Sequence, residues 1–222
     1  MNIRLGLTRI VFLAAASGCG SDPADTPPSS PLGFFVSSAT SVTGNLGGLS
    51  GADALCQRLA TEVDAGGKTW RAYLSVERDA TNGNQPTDAR GRIGNGPWIN
   101  AKGATIAKDL NELHARSGDA TLFVDERGRQ INGQWSGSPT PNEHDILTGS
   151  TAEGRLMTGF TCADWTSSAT TAVAQVGHSD GLGAGGSTAG SNASWNSAHA
   201  NQNCSNTAPR GGAGRIYCFA RG

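Results

Sequence analysis

Hydrophobic spacing divides the chain into short strands, two helices and long polar connections. Gly33-Phe34-Phe35-Val36-Ser37-Ser38 reads as a first strand. After a Gly-rich turn, Ser50 is placed to cap a helix in which Ala52, Leu55, Cys56, Leu59 and Val63 recur at helical spacing. Gly66-Gly67 stops it. Residues 70–77 alternate, with Trp70, Ala72, Leu74 and Val76 on one face of a strand. A second helix is predicted over 104–115, with Ile106, Leu110 and Leu113 on one stripe. Leu122-Phe123-Val124-Asp125 reads as a strand, as do residues 172–176. At the end, Arg215-Ile216-Tyr217-Cys218-Phe219 alternates, with Ile216, Cys218 and Ala220 facing one way.

Between these elements the chain is polar and rich in small residues. From 177 to 203 it is nearly all Gly, Ser, Ala and Asn, with Trp195 the only large apolar anchor. Loops of that length inside a compact domain are either functional or disordered. Recognition is therefore expected on loops 135–159 and 178–203. Trp135 and Trp165 are expected in the core. Glycine is 32 of 222 residues and charged residues are 16%. This predicts a loop-rich domain, mostly β or α+β. The net charge of -1 gives no electrostatic case for nucleic acid or for an acidic membrane surface.

The first 18 residues read as a secretory leader. Arg4 and Arg9 precede the apolar run 10–16, which is too short to cross a bilayer. Ala16-Ser17-Gly18-Cys19 resembles a bacterial lipobox, although Ala16 stands where Leu is usual. The resemblance implies lipidation of Cys19 and a membrane attachment through it. Gly20 and Ser21, rather than Asp, follow the cysteine, and in a Gram-negative cell the resemblance then implies the outer membrane. Residues 19–32 are Pro- and Ser-rich and read as a tether. Residues 33–222 then form the folded domain.

With Cys19 lipidated, Cys56, Cys162, Cys204 and Cys218 remain for two disulfides in an exported domain. Four cysteines allow three pairings. The expected one is nested: Cys56 with Cys218 ties the first helix to the last strand, and Cys162 with Cys204 closes the polar loop. The lack of a Cys-x-x-Cys pair argues against zinc held by these thiols.

Four blocks carry a family resemblance: residues 44–56, Trp70-Arg71-Ala72-Tyr73-Leu74-Ser75, Thr161-Cys162-Ala163-Asp164-Trp165 and Arg215-Ile216-Tyr217-Cys218-Phe219. Together they resemble a domain of unknown function found in bacterial surface lipoproteins, including the leptospiral endostatin-like proteins. That resemblance implies a C-type-lectin-like, endostatin-like fold. It also implies a non-catalytic role in binding extracellular proteins, as an adhesin does. Fold alone does not fix the ligand.

Two other activities use related folds. Calcium-dependent lectins place Glu-Pro-Asn-like and Trp-Asn-Asp triplets around the ion. Pro141-Asn142-Glu143-His144-Asp145 and Trp195-Asn196-Ser197 match them in part, which makes Asn142, Glu143, Asp145 and Asn196 the calcium candidates for a glycan-binding alternative. Formylglycine-generating oxidases carry an Arg-Gly-Gly segment resembling Arg210-Gly211-Gly212 and need reactive cysteines, here Cys204 and Cys218. The endostatin N-terminal histidine zinc site does not carry over, because no His precedes Phe34. His114, His144, His178 and His199 are scattered, with His114 at a helix end. No cofactor beyond calcium and no catalytic residue is expected.

Overall fold

The computed structural model describes Met1 and residues 30–221. The leader, Cys19 and all but the end of the tether lie outside the described residues. The fold is α+β, with ten strands and two right-handed α-helices among the described residues. In order these are β1 (Phe34–Val36), α1 (Gly48–Thr61), β2 (Thr69–Ala72), β3 (Val76–Asp79), β4 (Gln85–Thr87), β5 (Trp98–Ile99) and β6 (Thr105–Ala107). Then follow α2 (Leu110–Ala115), β7 (Asp145–Leu147), β8 (Gln175–His178), β9 (His199–Ala200) and β10 (Gly212–Arg221).

Strand β10 is the spine. β1 runs antiparallel along one edge, with Phe35 opposite Cys218. The other edge is shared. β2 pairs with the end of β10, and β7 runs parallel to its beginning. The sheet then continues from β7 to β8 and β9. Both faces of β10 are buried, so both sets of alternating side chains are apolar. Ile216, Cys218 and Ala220 enter a core with Phe35, Trp70 and Trp165. Tyr217 and Phe219 enter a second core with Phe34, Trp98 and Trp195. Each such buried aromatic stabilises the fold by about 1.5–3 kcal/mol relative to exposure. The predicted face of Ile216, Cys218 and Ala220 is therefore half of what this strand buries.

Helix α1 begins at Gly48, two residues before the predicted cap. Gly47 takes the N-cap position with φ +75°, and no side chain caps the helix. The helix buries Ala52, Cys56, Leu59 and Ala60. Its Asp53 accepts from the Ala72 amide (2.9 Å), Arg71 (3.1 Å) and Arg92 (2.7 Å), which fastens the helix to β2. The predicted second helix shortens to Leu110–Ala115. Asp109 interrupts the pattern by accepting from the Asn111 and Glu112 amides, and residues before it form β6. Residues 70–77 break into β2 and β3, while Leu122 to Asp125 make isolated bridges rather than a strand.

Cys56 bonds Cys218, and Cys162 bonds Cys204. The oxidase alternative thus loses its thiols: Cys204 and Cys218 sit in different disulfides. Cys162–Trp165 forms a left-handed turn, with φ from +48° to +64° at all four residues. Such turns cost roughly 1–2 kcal/mol per residue. Three anchors hold this one: the disulfide, the Trp165 Nε1 bond to Ser75 O (2.9 Å), and Asp164 accepting from the Glu77 amide (2.6 Å). No helix among the described residues is long and apolar enough to cross a membrane.

Candidate metal centre

The β7–β8–β9 ladder brings distant polar residues to one place. Asp145 opens β7 and lies directly opposite His178, the last residue of β8. Opposed residues of an antiparallel pair share a face. His199 opens β9 opposite Val176. Val176 and His178 are two apart on their strand, so His199 lies on the same face, diagonal to His178. His144 immediately precedes β7, and its ring stacks on that of His178, with centroids 4.3 Å apart and planes within 9°.

Nε2 of all three imidazoles lies near one carboxylate oxygen. Asp145 Oδ1 is 3.4 Å from His144 Nε2, 3.4 Å from His178 Nε2 and 3.6 Å from His199 Nε2. These separations are too long for hydrogen bonds with good geometry. Asp145 Oδ1, Asp145 Oδ2 and His178 Nε2 are buried without a hydrogen-bond partner. Buried polar atoms normally have one, and leaving such a group unpaired costs about 1–3 kcal/mol.

Each ring is held from behind. His144 Nδ1 bonds Asp180 Oδ1 at 2.7 Å, His178 Nδ1 bonds Asn192 O at 2.9 Å, and His199 Nδ1 bonds Ala200 O at 2.9 Å. A backbone carbonyl only accepts, so Nδ1 of His178 and of His199 carries the proton. In the neutral ring Nε2 then presents its lone pair to the centre. Burial, and next the neighbouring His144, push the His178 pKa below its ordinary value, so its ring is neutral at neutral pH. The Asp145 carboxylate beside His199 raises that ring's pKa instead. Burial alone would raise the Asp180 pKa. The bonds it accepts from His144 and from the Gln134 and Leu182 amides outweigh that and hold it low.

Two glycines let the loops close on this assembly. A Cβ at Gly133 would stand 2.2 Å from Asp180 Oδ2. At Gly211, where φ is +107°, it would stand 2.6 Å from the Asn142 amide nitrogen. A cleft of about 250 Å³, lined in part by His144, His178 and His199, opens above the centre. The side chains of His144 and His178 are only 3% exposed and that of Asp145 1%, whereas His199 is 33% exposed.

Four ligands about 2.0–2.1 Å from a tetrahedral ion stand about 3.4 Å from one another. The distances from Asp145 Oδ1 to the three Nε2 atoms are close to that edge length. Ligand atoms of His144, Asp145 and His178 all lie within 4.8 Å of one another, and His199 joins from the open side. The set suits a divalent transition ion of the zinc type. Its imidazole donors are the wrong ones for calcium, which takes six to eight oxygens.

Of the calcium candidates, only Asp145 is at this centre with free oxygens. Glu143 is paired with Arg215. Asn142 Oδ1 accepts from the His144 amide. Asn196 is buried elsewhere, donating to Tyr73 Oη (2.9 Å) and to the Thr151 and Ala152 carbonyls (3.1 Å each). His114 also stands apart, bonded to Tyr73 Oη and Leu110 O. Trp165 and Trp195 are core residues, while Trp135 is half-buried.

A family described as a protein of unknown function (DUF1554) matches residues 39–182, more than half of the chain. The chain belongs to this family. No curated protein matches it. The family segment contains His144, Asp145, His178 and Asp180, while His199 lies beyond it.

Proposed function

We propose that this member of the family is a metal-centred, non-catalytic binding module. In this reading it is exported, lipid-anchored through Cys19 and displayed on the bacterial outer membrane, where it meets extracellular protein ligands. The C-type-lectin-like, endostatin-like fold is part of the same proposal, supported by the nested disulfides and the closing Tyr217-Cys218-Phe219 strand. The observation that carries the metal is the unpartnered Asp145 carboxylate with three imidazole Nε2 atoms 3.4–3.6 Å from one oxygen. One divalent ion, zinc foremost, gives the orphaned Asp145 Oδ1 and His178 Nε2 a common partner. Three buried ligands, His144, Asp145 and His178, hold it without ordering new chain, and the one-third-exposed His199 stands at its open side.

Calorimetric titration of the metal-free full-length chain with zinc and with calcium tests this. The expected result is one zinc ion per chain, no calcium binding, and loss of zinc in both Asp145→Ala and His178→Ala. Zinc uptake no greater than that of Asp145→Ala would overturn the reading.

A further inference from the structure

The metal centre lies at the floor of a cleft whose rim carries a cation without a counterion. Arg210 lines the cleft beside His199. It is exposed, and among the described residues it makes no ion pair. Its guanidinium is steadied by one bond, Nη1 to Ala200 O at 3.3 Å, on the strand that carries His199. Its backbone sits at φ +70°, a conformation that side chains other than Gly seldom take. Gly211 follows and packs against Asn142 and His144, so the Arg210 turn is seated directly on the metal-binding loop.

The opposite wall adds a neutral donor. Asn142 Oδ1 is used by the His144 amide, which leaves the Asn142 NH2 group for the cleft. Charge then decides what fits. A dication beside Asp145, with Asp180 behind His144 and Arg210 at the rim, leaves the cleft positive. Glu143 does not offset this, because Arg215 already neutralises it. Zinc held by three protein ligands, here the buried His144, Asp145 and His178, keeps a fourth position for an exogenous ligand, on the side where His199 is one-third exposed. A planar carboxylate matches a guanidinium fork and places an oxygen on the metal at the same time.

We infer that the cleft captures a carboxylate group, with one oxygen on the metal bound by His144, Asp145 and His178 and the group clamped by Arg210. The volume, about 250 Å³, admits the carboxylate and a small part of its carrier. The carrier is an acidic side chain of an extracellular protein or a small free acid. Both present the same group. No bond is made or broken, so this is recognition and not catalysis. The inference rests on the metal reading proposed above.

The test loads the full-length chain with cobalt(II), whose visible absorption reports its ligands, and titrates it with acetate and with a short Asp-rich peptide. Wild type, Arg210→Ala and Arg210→Lys are compared. The expected result is a saturable spectral change in wild type. Its midpoint moves at least about tenfold in Arg210→Ala, the loss expected for a charge-assisted bond. Arg210→Lys is intermediate, and cobalt affinity is equal in all three. Tighter binding of the peptide than of acetate identifies protein side chains as the source, and the reverse identifies small acids. A cobalt spectrum indifferent to both, or an Arg210→Ala midpoint equal to that of wild type, overturns the carboxylate inference and leaves the metal centre standing. Failure to take up cobalt removes both.

Discussion

Asp145 faces His178 across the β7–β8 ladder, with Oδ1 3.4 Å from Nε2, and neither atom has a hydrogen-bond partner. A strand pair has been built that ends in a buried carboxylate and a neutral imidazole, next to two further imidazoles. Leaving these buried polar atoms unpartnered is costly to the fold.

Neutralising that carboxylate therefore separates stability from binding. Metal-free Asp145→Asn is expected to be at least as stable as metal-free wild type, by up to about 1 kcal/mol, since a poorly satisfied buried charge is removed. The same variant gains nothing from zinc. Wild type is expected to gain about 2.7 kcal/mol at a free zinc concentration of 100 times Kd. Urea unfolding with and without zinc measures both. A metal-free Asp145→Asn that loses several kcal/mol would show the carboxylate to be structural.

In the proposed centre Asp180 would act through His144 rather than as a ligand. Its Oδ1 holds His144 Nδ1 at 2.7 Å, and its oxygens also accept from the Gln134 and Leu182 amides. Asp180→Asn is expected to keep one zinc site per chain while weakening it by about 10–100-fold, as loss of an orienting carboxylate does. A competition titration against a chromophoric chelator reads the change. Loss of stoichiometry rather than affinity would place Asp180 among the ligands.

His114 gives the fold an acid-sensitive joint. Burial outweighs the opposing bond to Leu110 O and lowers its pKa from the ordinary 6.5, and its ring packs at Tyr73 Oη (2.9 Å). Below pH 6.5 the unfolded chain takes a proton that the folded ring resists. Its contribution to stability is thus present above 6.5 and is lost as pH falls toward the folded pKa, at no more than about 1.4 kcal/mol per pH unit. In metal-free protein, His114→Gln is expected to flatten the fall in urea midpoint between about pH 6.5 and about pH 5. His178 shifts the same way but is present in both proteins, so the difference isolates His114.

The inner disulfide guards the left-handed turn. Cys162→Ala with Cys204→Ala is expected to lose about 2–4 kcal/mol, the usual value for a native crosslink. Removing Cys56 and Cys218, which closes the longer loop, is expected to cost at least as much. Thermal and urea unfolding of the two double variants give the comparison. If the inner pair proves nearly silent, Trp165 and Asp164 alone hold that turn.

Much of the fold was legible from spacing. The Ile216, Cys218 and Ala220 face and the Cys56 helix face follow from local periodicity, while the nested pairing was one of three that four cysteines allow. Boundaries were less legible where a polar residue competed with the pattern. Asp109 stopped an apparent helix extending back to residue 104 by capping the turn after it. Trp70, Ala72, Leu74 and Val76 do share one core, but the strand breaks at Tyr73, where the Leu74 amide bonds back to Ala72 O at 3.0 Å.

The site was the least legible part. His144-Asp145 ahead of Ile146-Leu147, and His178 after Val176-Gly177, were visible as polar residues at strand ends. That was the available signal, and no motif joins them to His199. By itself, the sequence determined short strands, helix faces and long polar loops, because these depend on neighbours in the chain. Only the tertiary structure decided that β8 lies between β7 and β9. Strand order is a long-range choice, made by which faces bury together. That choice brings three scattered histidines to one orphaned carboxylate.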